Sequence, residues 1–115
     1  MRRSSAIRSR NSVIAIAGEI HVSTAPRFSV LLDEAVGRGK TAVVLDLSAV
    51  EFIDSTGLSV LLNGLRRVNR QRGRMALVCT NPTVLRLFEI TRLDATFDIH
   101  PSREAALSAV RSAEG

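Results

Sequence analysis

The chain has 115 residues, 45% of them hydrophobic, with only three prolines and a formal net charge of +5. That is enough for one domain with a single modest core, and it excludes an intrinsically disordered chain. No apolar run approaches the roughly 20 residues that span a bilayer, and the basic start MRRSSAIRSRN lacks the apolar segment of a signal peptide, because VIAIA is short and GEIH interrupts it; the sequence reads as a cytoplasmic protein.

Taken in chain order, Ile7 to Ala17 holds two short apolar pieces around Arg8–Ser12, which read as paired strands or as one broken strand. Gly18-Glu19 then reads as a turn. Ser23-Thr24-Ala25-Pro26 has the form of a helix start, with a hydroxyl cap and a proline in the first turn. Phe28, Leu31, Leu32 and Ala35 follow at helical spacing, and Gly37 and Gly39 end the helix. Thr41 to Leu47, TAVVLDL, is short, β-branched and nearly all apolar, as a strand buried on both faces of a parallel sheet would be. After a turn at EFIDST, Leu58, Leu61, Leu62, Leu65 and Val68 repeat with the period of a helix, with Arg66, Arg67 and Arg70 on its other side and Gly73 as its stop.

Met75 to Cys79 reads as the next buried strand. Asn81-Pro82 is a strong helix start, and Val84, Leu85 and Phe88 supply that helix's apolar side. A short strand is expected near Thr96 to Ile99, and Ser102 is expected to cap a last helix carrying Ala106, Leu107 and Val110. This alternation predicts an α/β fold: one domain over residues 1–115, with a mostly parallel mixed sheet, about four helices, and frayed ends at about 1–5 and 111–115.

The side chains that carry chemistry are few. His21 falls in a loop and His100 just before a proline, and neither has a metal-ligand partner at close spacing. Cys79, the only cysteine, lies in the apolar run MALVC and reads as a buried small hydrophobe. There is no GxxxxGK[ST], GxGxxG or GxSxG pattern. The inventory therefore points to no enzymatic activity, no cofactor and no metal. The arginine clusters, at Arg2, Arg3, Arg8 and Arg10 and at Arg66, Arg67, Arg70, Arg72 and Arg74, read first as solvated faces. Without Tyr or Trp there is no stacking platform for single-stranded nucleic acid, and direct DNA binding is not expected.

What stands out is the turn Asp54-Ser55-Thr56-Gly57. It sits where a strand passes into a helix, the place at which sites gather in open α/β sheets. Asp54 or Ser55 could serve only as the helix cap, with Gly57 allowing close packing. Alternatively, Ser55 could accept a phosphate, since a helix N-terminus stabilises negative charge.

The run VVLDLSAVEFIDSTGLSVLL resembles the signature of STAS domains, specifically bacterial anti-sigma factor antagonists of the stage II sporulation protein AA type. GEIHVSTA and RMALVCTNPTVLRLFEITRLDATFDIHPSREAAL resemble the family's flanking segments, so the likeness covers nearly the whole chain. It implies an anti-anti-sigma factor that binds an anti-sigma factor serine kinase and so frees a sigma factor. Ser55 would be the phosphorylation site that switches binding off, and a phosphatase would restore it. Asp54, Ser55, Thr56, Gly57 and Leu58, with Gly18 and Glu19 from a neighbouring loop, would form the partner-binding surface. The chain departs from the family at His21, where aspartate is frequent, and at Ser59 and Arg92, where glycine is. Other readings are a STAS scaffold or transporter accessory subunit without phosphorylation, and a nucleotide- or nucleic-acid-binding module.

Overall fold

The run from Ala42 to Leu47 is buried at every position, because its strand lies in the middle of a sheet covered on both sides. The computed structural model describes residues 11–37 and 42–114. Among these residues four strands alternate with four helices: β1 (Asn11–Ile20), α1 (Ala25–Gly37), β2 (Ala42–Ile53), α2 (Ser55–Arg70), β3 (Arg74–Val78), α3 (Pro82–Ile90), β4 (Asp98–His100) and α4 (Arg103–Glu114). The sheet runs β1-β2-β3-β4 with every neighbouring pair parallel.

Alternate residues of β2 serve different layers. Val43, Leu45 and Leu47 face the larger core, with Phe28 and Leu32 of α1, Leu61, Leu65 and Val68 of α2, and Val84 and Phe88 of α3. Ala42 and Val44 face the other way, against Ala106 and Val110 of α4. The ring of Phe88 meets that of Phe97 edge to face, with centroids 5.7 Å apart. At about 25 cal/mol per Å² of buried apolar surface, this double-sided burial is the main source of stability.

The sheet is parallel throughout the described residues rather than mixed. Asn11 to Ala17 belong to a single strand, and Ile7–Arg10 lie outside the described residues, as do Met1–Ser5, Gly39 and Thr41. Gly18-Glu19 is not a turn but part of β1, with Gly18 at φ +84°. Glu51 to Ile53 likewise continue β2. Both differences have one cause. The register shifts between Ala15 and Ala17 and again between Gly18 and Glu19, and β2 carries an extra residue at each shift. The bulges place Leu47, Val50 and Ile53, three residues apart, in the same core, a spacing that a regular strand could not bury on one face.

Helix ends also differ from expectation. α2 is closed not by Gly73 but by Arg72 at φ +63°, whose N–H reaches Asn69 O while Gly73 N–H reaches Val68 O. Arg92 does the same after α3, at φ +64°. β3 begins and ends one residue earlier than expected, and β4 begins two residues later and ends one later. α4 runs to Glu114, and Gly115 lies outside the described residues. Asn81 and Ser102 cap α3 and α4 as expected: Asn81 Oδ1 accepts from Thr83 N–H and Ser102 Oγ from Ala105 N–H.

One buried carboxylate fastens α4 to the sheet. Asp46 is 8% exposed, accepts from the Ser48 N–H at 3.0 Å and from the Ser48 hydroxyl, and pairs with Arg103 at the start of α4. Burial pushes its pKa up, but the Ser48 and Arg103 hydrogen bonds outweigh this and hold it below the ordinary value.

Two predictions follow from these ends and ties. A left-handed conformation costs a non-glycine residue roughly 1–2 kcal/mol, partly offset by the extra freedom that glycine has when unfolded. Arg92→Gly should therefore raise stability by about 0.5–1 kcal/mol, read as a higher urea midpoint at unchanged slope; a lower midpoint would contradict it. A lowered folded pKa stabilises the fold above the unfolded pKa, and that contribution disappears as pH falls through the folded pKa. Asp46→Asn should cost about 2 kcal/mol at neutral pH. The gap from the parent should close below about pH 4, the ordinary aspartate range. Urea titrations across that range check it, and a gap independent of pH would overturn it.

Candidate functional site

The C-terminal end of β2 passes into α2 through a single residue, Asp54, in extended conformation at φ −102°, ψ −174°. Its carboxylate is the helix cap: Oδ1 accepts from Gly57 N–H at 2.9 Å. Oδ2 accepts from Val22 N–H at 3.3 Å, in the loop between β1 and α1. The Asp54 N–H donates to Ile20 O at 3.1 Å, and its carbonyl accepts from Leu58 N–H at 3.0 Å. Asp54 thus joins the ends of both strands to the start of α2. With both oxygens engaged by backbone N–H groups, its carboxylate is a structural acceptor rather than a base for Ser55.

Ser55 is the first residue of α2 and is exposed, and its hydroxyl makes no hydrogen bond among the described residues. As the first two residues of a helix, Ser55 and Thr56 have N–H groups with no intrahelical partner. A spare hydroxyl beside free N–H groups and the positive end of a helix dipole is a favourable place for an anion. Thr56 is half-buried. Ser59, one turn further on, is exposed and donates to Ser55 O at 3.0 Å.

Two residues expected on the surface point inward. Leu58 is 7% exposed and belongs to the core. Gly57 is buried, and a methyl group added there would meet Ile20 O and Cγ2 at 2.8 Å and Ile53 Cγ2 at 2.9 Å. They hold the turn in place and offer a partner little surface. Leu58, Leu61, Leu65 and Val68 recur at i, i+3 and i+4 spacing on the one face of α2 that packs on the core.

Parallel pairing sets Gly18 against Val50 and Glu19 against Phe52, four and two residues before Asp54. Gly18 has open space around its Cα hydrogens, so its requirement is its positive φ, which bulkier residues adopt only with strain. The loop that follows is well bonded. The Thr24 hydroxyl donates to Glu19 O at 2.7 Å and accepts from His21 N–H at 3.0 Å, instead of capping α1. His21 Nδ1 accepts from Ser23 N–H at 3.1 Å, and its Nε2 lies 3.2 Å from the exposed Glu19 carboxylate. His21 therefore organises its own loop and faces an acid.

The remaining polar groups are dispersed. His100 ends β4, and its Nε2 sits 2.8 Å from Asp98 Oδ1 without hydrogen-bond alignment. Cys79 is buried, and burial pushes its thiol pKa up, away from reactivity. Among the described residues no three His, Cys, Asp or Glu side chains converge on one point, and no helix is long and apolar enough to cross a membrane. Of the central arginines, Arg67 pairs with Asp33, while Arg66, Arg70, Arg72 and Arg74 are exposed. The sequence did not reveal the exposed apolar side chains near the turn. Val22 is 68% exposed, Phe52 46% and Ile90 68%. Nothing in the local pattern distinguishes them from core residues.

The STAS domain profile matches residues 3–106. The chain is 34% identical over 100 residues to the anti-sigma-F factor antagonist RsfB of Mycobacterium tuberculosis, covering 87% of this chain and 81% of that protein. The crystal structure of an anti-sigma factor antagonist from Mycobacterium paratuberculosis matches with a TM-score of 0.80 at 36% identity, over 86% of this chain and 84% of that one. The anti-sigma factor antagonist SpoIIAA in its unphosphorylated form shares the fold, with a TM-score of 0.76 at 24% identity over 91% and 92% of the two chains.

The separation of cap and spare hydroxyl can be measured directly. Asp54→Ala should cost about 1–2 kcal/mol, the usual loss of a cap. Ser55→Ala should leave stability within about 0.5 kcal/mol of the parent. Chemical denaturation of both variants checks this, and a Ser55→Ala loss as large as that of Asp54→Ala would make Ser55 the cap.

Proposed function

The chain belongs to the STAS domain family, and we propose that within it this protein is an anti-anti-sigma factor switched at Ser55. It binds an anti-sigma factor that is also a serine kinase, and so releases a sigma factor for transcription. Phosphorylation of Ser55 by that kinase ends the interaction, and a phosphatase restores it. The protein acts in the cytoplasm by binding, with no chemistry and no cofactor of its own and no direct contact with DNA. Its relatives are named as anti-sigma factor antagonists, and the observation that carries the switch is the exposed Ser55 hydroxyl left unused while Asp54 does the capping.

The physics of such a switch is simple. A phosphate on Ser55 adds about −1.5 to −2 charges at neutral pH. The free N–H groups and dipole of α2 accommodate that charge, so the fold has no reason to change. A partner seated over the turn would have to desolvate it or oppose it with like charge, at a cost of several kcal/mol. About 4 kcal/mol corresponds to roughly a thousandfold loss of affinity. Docking would use the outward atoms of Asp54, Ser55 and Thr56, with Gly18 and Glu19 beside them, while Gly57 and Leu58 fix the turn from below.

The test is the intact mass of the protein after incubation with ATP and purified anti-sigma kinases from the same genome. One added phosphate is expected, absent in Ser55→Ala and retained in Thr56→Ala. The phosphorylated form should bind the kinase at least about a hundredfold more weakly, a difference of about 2.7 kcal/mol. A phosphate on another residue, or equal binding by both forms, would overturn the switch. Binding with no phosphate transfer would instead favour a scaffold or transporter accessory role.

A further inference from the structure

Next to the Ser55 turn lies an open groove with a volume of about 270 Å³. Ile53 and Val84 line it from within, and Phe52, Leu87 and Ile90 form its apolar walls. Phe52 and Ile53 are the two residues immediately before Asp54, so the groove adjoins the turn along the chain. Ile90 is the last residue of α3. The only charged lining side chain is Arg86, which is exposed and makes no ion pair among the described residues.

These features say what the groove fits. Small-molecule sites usually enclose about 300–1,000 Å³ and present several converging polar groups. This groove is smaller and open, and Thr83 and Arg86 are its only polar lining residues. An apolar side chain entering from a protein surface suits it better, and the unpaired Arg86 guanidinium calls for a carboxylate at the rim, which it can hold in bidentate fashion. Large exposed apolar side chains gathered in one concavity mark interaction surfaces, whereas scattered ones do not.

From this we infer that the groove is the second contact of the partner that docks at Ser55: it receives a large aliphatic or aromatic side chain of the anti-sigma kinase, flanked by an acidic residue that pairs with Arg86. The inference rests on the reading of Ser55 as a docking point. It assigns affinity to the groove and switching to the turn. The hydroxyl controls whether the two proteins can meet, and the groove determines which kinase this antagonist accepts.

The experiment measures Kd, by calorimetry, for the kinase that binds the unphosphorylated protein, using the full chain and four variants: Ile90→Ser, Phe52→Ser, Arg86→Glu and, as a control on α1 outside the groove, Val30→Ser. Ile90 and Val30 are 68% and 54% exposed, so neither change should disturb folding. Each groove variant should bind about tenfold more weakly or worse, the scale expected when one apolar anchor or one charge pair is lost. Val30→Ser should bind as the parent does, and Arg86→Glu should be rescued in part by exchanging the matching acid of the kinase for lysine. Groove variants that bind within twofold of the parent would overturn the inference and leave the Ser55 switch standing. Loss of binding in the groove variants, with no phosphate transfer to the parent, would support the groove and overturn the switch. If no anti-sigma kinase binds the parent, both readings fail. If the parent forms a dimer that Ile90→Ser dissolves, the groove belongs to a second copy of this chain, which also overturns the inference.

Discussion

The Asp54 carboxylate is the constraint on which the site depends. Its two oxygens accept from Gly57 in α2 and from Val22 in the β1–α1 loop, and its own backbone groups bond Ile20 and Leu58. One residue therefore ties two strand ends, a loop and a helix start together. A charged acceptor suits this role, because hydrogen bonds to an ionised group are roughly twice as strong as neutral ones. The consequence for function is indirect. Since the aspartate makes the cap, the hydroxyl of the serine beside it has no bond to make there and is unused among the described residues.

The shape of the surface around that serine comes from the two bulges in β2. They turn the strand so that Leu47, Val50 and Ile53 are all buried while Phe52 is left half-exposed. Parallel pairing then brings Gly18 and Glu19 alongside, and the short helix α3 supplies the far wall of the groove. A tightly packed base lies beneath, where no atom fits at Gly57 other than hydrogen. On the proposed reading, such a base suits a switch that works by charge alone. On that reading, a phosphate beside a helix start already capped by Asp54 would change what can approach, not how the chain folds.

The two faces of the sheet are stabilised differently. Three helices build the large core on one side, whereas α4 covers the other with small side chains, Ala106 among them, and is held at its start by the Asp46–Arg103 pair. The fastening point lies on the face opposite the larger core. Arg103 and Arg67 each neutralise an acid within the protein, which leaves part of the positive charge for structure rather than for a polyanion.

Much of this was legible in the sequence. The helix period of Leu58, Leu61, Leu65 and Val68, the buried run from Ala42 to Leu47 and the Asn81-Pro82 cap are local signals, because each reflects the repeat of one element against water or core. So is the serine in its turn, since a polar cluster between strand and helix is a local pattern. The bulges were not legible: a period of three in Leu47, Val50 and Ile53 looks like irregular chain until a neighbouring strand supplies the register. Nor was the choice between Asp54 and Ser55 as the cap: Asp54 is also held through its second carboxylate oxygen by the N–H of Val22, thirty-two residues away, a contact that no local pattern shows. The groove is the clearest case. Phe52 and Ile90 read as core residues by type, and only the packing of α3 against the end of β2 decided that they remain exposed, because burial is a property of the neighbours a side chain meets and not of the side chain itself.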